Sequence, residues 1–174
     1  MLAATGGVNT HRGAIFSLGL AVASASRLLQ KGEPLTADAI QQGIKELASG
    51  FPRPEGTHGH GVCTKYGVPT ALDSALQGFP LAFEAARCPN LHSRLLYIMS
   101  RLHDSNVYHR CGPEVASEVR SRAAELLDQY GKDPATVTAR LQELDREFTA
   151  RNISPGGAAD MLALSILITT ITNN

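Results

Sequence analysis

Apolar residues recur along this chain at spacings of three and four, the pattern of helices that bury one face, and strand-like alternation is absent. Ile15, Leu18, Val22 and Leu29 share one face of a first helix that ends near Gly32. Thr36 is placed to cap a second helix, which carries Ile40, Ile44 and Leu47 and stops at Gly50. The Gly-, Pro- and His-rich stretch from Phe51 to about Gly67 reads as a loop, and Pro69 opens a short helix ending at Gly78-Phe79-Pro80. Leu95, Met99 and Leu102 mark the next helix, which ends at His103-Asp104. Gly112-Pro113-Glu114 reads as a helix start, because proline suits the first turn and glutamate complements the dipole. Val115, Val119, Leu126 and Tyr130 stripe that helix, and Gly131 ends it. Asp133-Pro134 caps another, with Val137, Leu141, Leu144 and Phe148 on its inner face. Ser154-Pro155 opens a last helix that is apolar nearly all round from Ala158 to Ile171, so it is expected to be central and buried. The pattern predicts an all-α, single-domain bundle of six to eight helices with a buried C-terminal helix.

Composition narrows the class of partner. Lys plus Arg and Asp plus Glu number 16 each among 174 residues, so there is no bulk basic field to attract nucleic acid or an anionic membrane. Cys63, Cys88 and Cys111 are scattered without a C-x-x-C pair, which points to free thiols in a reducing compartment. No basic segment followed by an apolar one opens the chain, and the apolar run from Met161 to Ile171 is too short to span a bilayer. A cytoplasmic protein that binds neither nucleic acid nor membrane is expected.

Three stretches break the rules of a plain helix bundle, and such breaks tend to mark functional sites. In "TGGVNTHRG", with Asn9 or Thr10 as cap, His11 and Arg12 fall in a helix's first turn, where a cation opposes the dipole unless an anion is present. The amides of Gly6 and Gly7 could reach the same anion, since nothing branches from their Cα atoms; a glycine turn with a solvated arginine is the plain alternative. In "HDSNVYHRCGPE", Asp104 and Asn106 offer oxygen ligands suited to Mg²⁺, and Arg110 precedes a helix start as Arg12 does. Asp-Ser-Asn is equally a common turn composition. In "ARNISPGGAADMLAL", Asp160 stands on the apolar last helix, stacked over Gly156 and Gly157, and a buried carboxylate needs a cation, a metal or a proton. His58, His60 and Cys63 lack a fourth ligand at zinc spacing.

These blocks, together with Gly78-Phe79-Pro80 and the Tyr66-Gly67 pair, resemble the successive signature stretches of the triphosphoribosyl-dephospho-CoA synthases, in order and across nearly the whole chain. The resemblance implies an all-helical bacterial transferase that joins ATP to 3′-dephospho-CoA with release of adenine. Its product is the prosthetic-group precursor of citrate lyase or malonate decarboxylase, which links it to an acyl-carrier protein pathway. ATP is then a substrate, Mg²⁺ a cofactor, and inversion at the ribose anomeric carbon the stereochemical course. Asp104, Asp160 and His11 become the candidate catalytic residues, with Asp104 and Asp160 also the candidate Mg²⁺ ligands. Gly6, Gly7, Asn9, Arg12, Asn106, Arg110, Ser154, Gly156 and Gly157 become the candidates for phosphate and substrate binding.

Two departures accompany the resemblance. Members of the family carry a Pro-Gly block and a Gly-Ala-His-x-Asp-Met-type block ahead of the stretch that opens this chain. The chain thus matches about the C-terminal two-thirds of the family and is expected to be a fragment, a mis-started frame or a degenerate homologue. Leu72 and Ser74 also stand where the family tends to have arginine and glutamate. An inactive homologue, or a subunit of the same fold that binds nucleotide or a partner, is the alternative reading. Apolar surface left by missing N-terminal helices predicts self-association as a homodimer.

Overall fold

The structure, a computed structural model, describes residues 11–53 and 58–172. Among these residues there are nine helices and no strand. The predicted class holds, and the count exceeds the expected range because short helices replace stretches read as loop.

Local chemistry explains most of the boundaries. Helix α1 (Arg12–Gln30) begins after His11, which caps it without a side-chain hydrogen bond, and gives way to Gly32 at φ 69°. The expected caps Asn9 and Thr10, like Gly6 and Gly7, lie outside the described residues. Thr36 caps α2 (Ala37–Ser49) by accepting from the Ala39 amide at 3.2 Å. Helix α3 (His58–Tyr66) occupies the predicted loop: buried Val62 and Cys63 seat it against the core despite its glycines. Thr70 and Asp73 form a reciprocal capping box on α4 (Ala71–Leu76). Pro80 then starts α5 (Pro80–Ala85) rather than ending a helix, after Gly78 and Phe79 both turn left-handed. The fully buried Phe79 ring, 1% exposed, holds that otherwise unfavourable backbone in place.

Asn90 caps α6 (Leu91–Arg101), and Asp104 caps α7 (Ser105–Tyr130). Helix α7 therefore starts before Gly112, and the expected start at Gly112-Pro113 is a second one within it. Gly112, at φ 84° and ψ 177°, breaks the helix, and Pro113 restarts it. Asp133 caps α8 (Pro134–Ala150) through the amides of Ala135 and Thr136. Helix α9 (Gly156–Thr172) closes the described chain.

The core has two parts joined by α9. Leu20, Ile40, Ile44, Leu72 and Phe79 gather around Leu164 and Ile168, while Leu96, Val107, Val119, Leu144 and Phe148 gather with Ala158. Met161 packs against both groups. A helix facing apolar neighbours on two sides has no need of a polar stripe, which accounts for its composition. It is not sheathed completely, since Ile166 is 39% exposed.

Of the predicted inner face of α1 only Leu18 packs against the core, and the other three residues lie outward. Ile15, Val22 and Leu29 are 64%, 55% and 63% exposed. The buried side consists of Ser17, Leu20, Ala21, Ser24, Ala25 and Leu28. Close approach, not bulk, selected that side: Ser24 Oγ donates to the Ile40 carbonyl at 2.9 Å, and Gly43 has no room for a Cβ beside Ser24. By length and composition α1 is also apolar enough to cross a membrane, the one such helix among the described residues, although its inner side is packed.

Gly43→Leu should force α1 from α2 and lower stability by about 1–3 kcal/mol, the usual range for overpacking. The midpoint of urea unfolding followed by circular dichroism checks this.

Candidate active site at three helix starts

The starts of α1, α7 and α9 meet, and glycines permit the meeting. A Cβ on Gly13 would overlap Asp160 Oδ2. One on Gly156 would lie 2.9 Å from Asn106 Nδ2, and one on Gly157 would lie 3.1 Å from Asp104 Oδ2. None of the three helices has an acidic residue in its first turn. Three positive helix ends thus converge on a small region, an arrangement that favours a bound anion.

Asp104 lies between two of them and is only 6% exposed. Its Oδ1 accepts from the Asn106 amide at 2.9 Å, at the start of α7, and its Oδ2 from the Ala158 amide at 3.0 Å, at the start of α9. The Val107 and Gly157 amides also favour its ionised form, but burial outweighs all four and raises the carboxyl above its ordinary value. Sequence reasoning saw a ligand in Asp104; the structure gives it the work of a shared cap. Its oxygens are engaged by backbone donors.

Asp160 is half-buried, and no hydrogen bond engages it among the described residues. Burial raises its carboxyl, the nearby charge of Asp104 raises it further, and His11 opposes both. Asp160 faces Gly13 across a helix interface instead of standing over Gly156 and Gly157. Those two glycines instead admit Asn106 and Asp104. His11 and Arg12 are exposed at the start of α1.

Arg110 is placed only partly as expected. It lies in the last turn before the Gly112 break, so it precedes the restart at Pro113 as expected but also belongs to a helix, and its NH1 approaches Asn152 Oδ1 at 3.5 Å. That brings it to the α8–α9 connection, just before half-buried Ser154, whose carbonyl accepts from the Gly156 amide at 2.9 Å. Arg151 is fully occupied by ion pairs with Glu118 at 2.6 Å and Glu147 at 2.9 Å, a structural role.

Beside the site runs a network that periodicity did not reveal. The Tyr108 hydroxyl lies 2.9 Å from His103 Nδ1 and accepts from Arg120 NH1 at 3.2 Å. Burial and the Arg120 charge lower the His103 pKa, favouring a neutral ring whose Nδ1 accepts from Tyr108. The run His103-Asp104 followed by Tyr108 was the available signal, since Tyr108 falls one turn beyond the capping aspartate. Gly13 was missed too, though it stands in the quoted opening block.

The residues fit a magnesium ion only through Asp160. Among the described residues no three His, Cys, Asp or Glu side chains gather into a metal-binding group, and Asp104 is committed to amides. One carboxylate with phosphate oxygens and water is nevertheless an ordinary magnesium shell. Cys63 is buried with its thiol donating to the Pro69 carbonyl at 3.3 Å, and burial pushes it up, so it is no nucleophile.

Neighbouring helix starts, with Asp104 and Asp160 close by, mark the candidate site of this all-helical protein. The chain belongs to the ATP:dephospho-CoA triphosphoribosyl transferase family, whose profile matches residues 1–174. It is 38% identical to a Pseudomonas fluorescens protein named as a probable 2-(5″-triphosphoribosyl)-3′-dephosphocoenzyme-A synthase, over 98% of this chain and 63% of that protein. Proteins of the same name from Stutzerimonas stutzeri and Azotobacter vinelandii are each 36% identical, over 99% and 97% of this chain and 64% and 62% of theirs. The chain thus spans a little under two thirds of the length of these curated relatives. No solved structure matches it.

Asp104→Ala leaves the buried amides of two helix starts without an acceptor and should cost about 2–4 kcal/mol. Asp104→Asn tests the charge. A carboxyl raised by folding stabilises the folded state fully below its unfolded value and loses that contribution as pH rises through its folded value. The stability advantage of the parent over Asp104→Asn should therefore shrink from the ordinary carboxylate range toward neutrality, as read by urea unfolding at a series of pH values.

Proposed function

We propose that the chain carries the polyphosphate end of an active site that transfers the triphosphoribosyl group of ATP to 3′-dephospho-CoA. The observation that carries this reading is the meeting of three helix starts around Asp104 and Asp160, with Arg12 and His11 at the rim. The reaction needs such a site, because ATP brings concentrated negative charge that must be held while its ribose reacts.

The amides at the start of α1 and the Arg12 guanidinium bind the triphosphate. Asn106 orients it, and Gly156 and Gly157 keep the α9 backbone within reach. A ribose hydroxyl of dephospho-CoA attacks the anomeric carbon of the ATP ribose, a C–O bond forms, and the C–N bond to adenine breaks. The electron pair leaves with adenine, which takes up a proton, so the hydroxyl proton is in effect passed to the leaving base. His11 accepts that proton, and the Asp160 carboxylate stabilises the imidazolium that forms. Mg²⁺, held by Asp160 and the substrate phosphates, supplies further charge neutralisation when bound. The product would serve as prosthetic-group precursor for citrate lyase or malonate decarboxylase.

A second reading is nucleotide binding without turnover. It is favoured by the family's arginine being replaced by Leu72, which is built into the core. Incubation with ATP, Mg²⁺ and dephospho-CoA, with free adenine measured by chromatography, separates the two. Triphosphate binding by calorimetry without adenine release, where the Pseudomonas fluorescens relative releases it, selects the second.

If the chain turns over, Asp160→Asn should lower kcat by about 10²–10⁴-fold, the usual range for general acid–base support. The fold should persist, since the substitution removes a carboxylate that burial disfavours.

A further inference from the structure

The exposed side of α1 carries a regular seam. Arg12, Ile15, Gly19, Val22, Ser26 and Leu29 follow one another at alternating spacings of three and four along that face. The large members Ile15, Val22 and Leu29 are exposed, and a Cβ added at Gly19 would touch nothing within 4 Å. Beside the seam Phe16 meets exposed Phe51 edge-on at 5.7 Å, which widens the apolar surface. Uncovered apolar surface of this kind marks an interaction site.

We infer that this face pairs antiparallel with the same face of a second copy of the chain. The seam is self-complementary along its full length in one register. Setting Val22 opposite Gly19 of the second helix also sets Ile15 opposite Ser26 and Leu29 opposite Arg12. Every layer then joins a large side chain to a small one or to the flexible arginine stem, which can lie along leucine while its guanidinium stays free to reach the phosphate site. A parallel pair would stack Ile15 on Ile15 and Gly19 on Gly19, alternately crowded and hollow, with Arg12 beside Arg12. The antiparallel pair instead brings Arg12 toward the end of α1 that leads into Glu33, and it opposes the helix dipoles. It also places each copy's α1 C-terminus beside the other copy's site. One helix pair lies at the small end of stable interfaces, so the dimer dissociates on dilution.

Sedimentation equilibrium of the whole chain over a dilution series, with Gly19→Glu alongside, tests the pairing. Position 19 is open in the monomer, so the variant keeps its helical spectrum. The parent should shift from dimer to monomer with dilution, and Gly19→Glu should be monomeric throughout. Register is read from Ile15→Cys/Ser26→Cys, whose two thiols lie roughly 16 Å apart on one helix and cannot bridge within a chain. Oxidation should yield a covalent dimer from this double variant and none from either single variant. A parent that is monomeric at its highest attainable concentration overturns the inference, as does a Gly19→Glu chain that still dimerises. Crosslinking by Ile15→Cys alone overturns the antiparallel register, and monomeric parent co-floating with phosphatidylglycerol vesicles assigns the face to a bilayer instead.

Discussion

The buried Asp104 carboxylate is the interaction on which the rest of the structure depends. Two helix starts, those of α7 and α9, each present unpaired amides and a positive dipole end, and alone they would repel one another. One carboxylate accepting from both, at 2.9 Å and 3.0 Å, turns that repulsion into a joint. Gly157 is what lets the carboxylate come so close, since a Cβ there would crowd both of its oxygens. The joint fixes Asn106 and Asp160 relative to each other although they are far apart in sequence.

Helix α9 carries the consequence through the molecule. Fixed at its start by Asp104, it runs between two apolar groups and holds them together through Met161, Leu164 and Ile168. Arg94 ties its far half by donating to the Ser165 carbonyl and to Thr169 Oγ1 at 2.9 Å. Elsewhere, Arg122 and Arg151 share Glu147 and so bind α7 to α8. Those arginines are consumed by structure. Arg12, at the start of α1, is not committed in this way: it forms no ion pair among the described residues, which is why it is the cation proposed for phosphate. In the proposed site, stability and chemistry draw on the same helix starts, with Asp104 serving the first and Asp160 left for the second.

Much of this was legible from residue order. Thr36 and Asp133 act as helix caps because a short polar side chain meets amides within its own turn, and that is a local event. The all-helical class followed from spacing, and the family likeness from blocks whose unusual residues, glycines and aspartates at helix starts, proved to lie together. The errors also have physical causes. Helix α3 was hidden because its stability comes from burying Val62 and Cys63, not from helix propensity. Ile15, Val22 and Leu29 of α1 were misplaced because apolar bulk was taken as the sign of burial, whereas the Ser24–Gly43 contact shows that closeness of backbones decided it.

By itself, then, the sequence determined the helices that local caps begin, such as α2 and α8, which residues could bear charge chemistry, and to which family of folds the chain answers, since each is set by neighbours within a few residues. Tertiary structure alone decided that Asp104 would serve two helices while Asp160 faced Gly13, and that Arg110 would reach Asn152 rather than the carboxylates. Those outcomes depend on which helix ends are pressed together, and that follows from packing two apolar groups against one shared helix, which no single segment encodes.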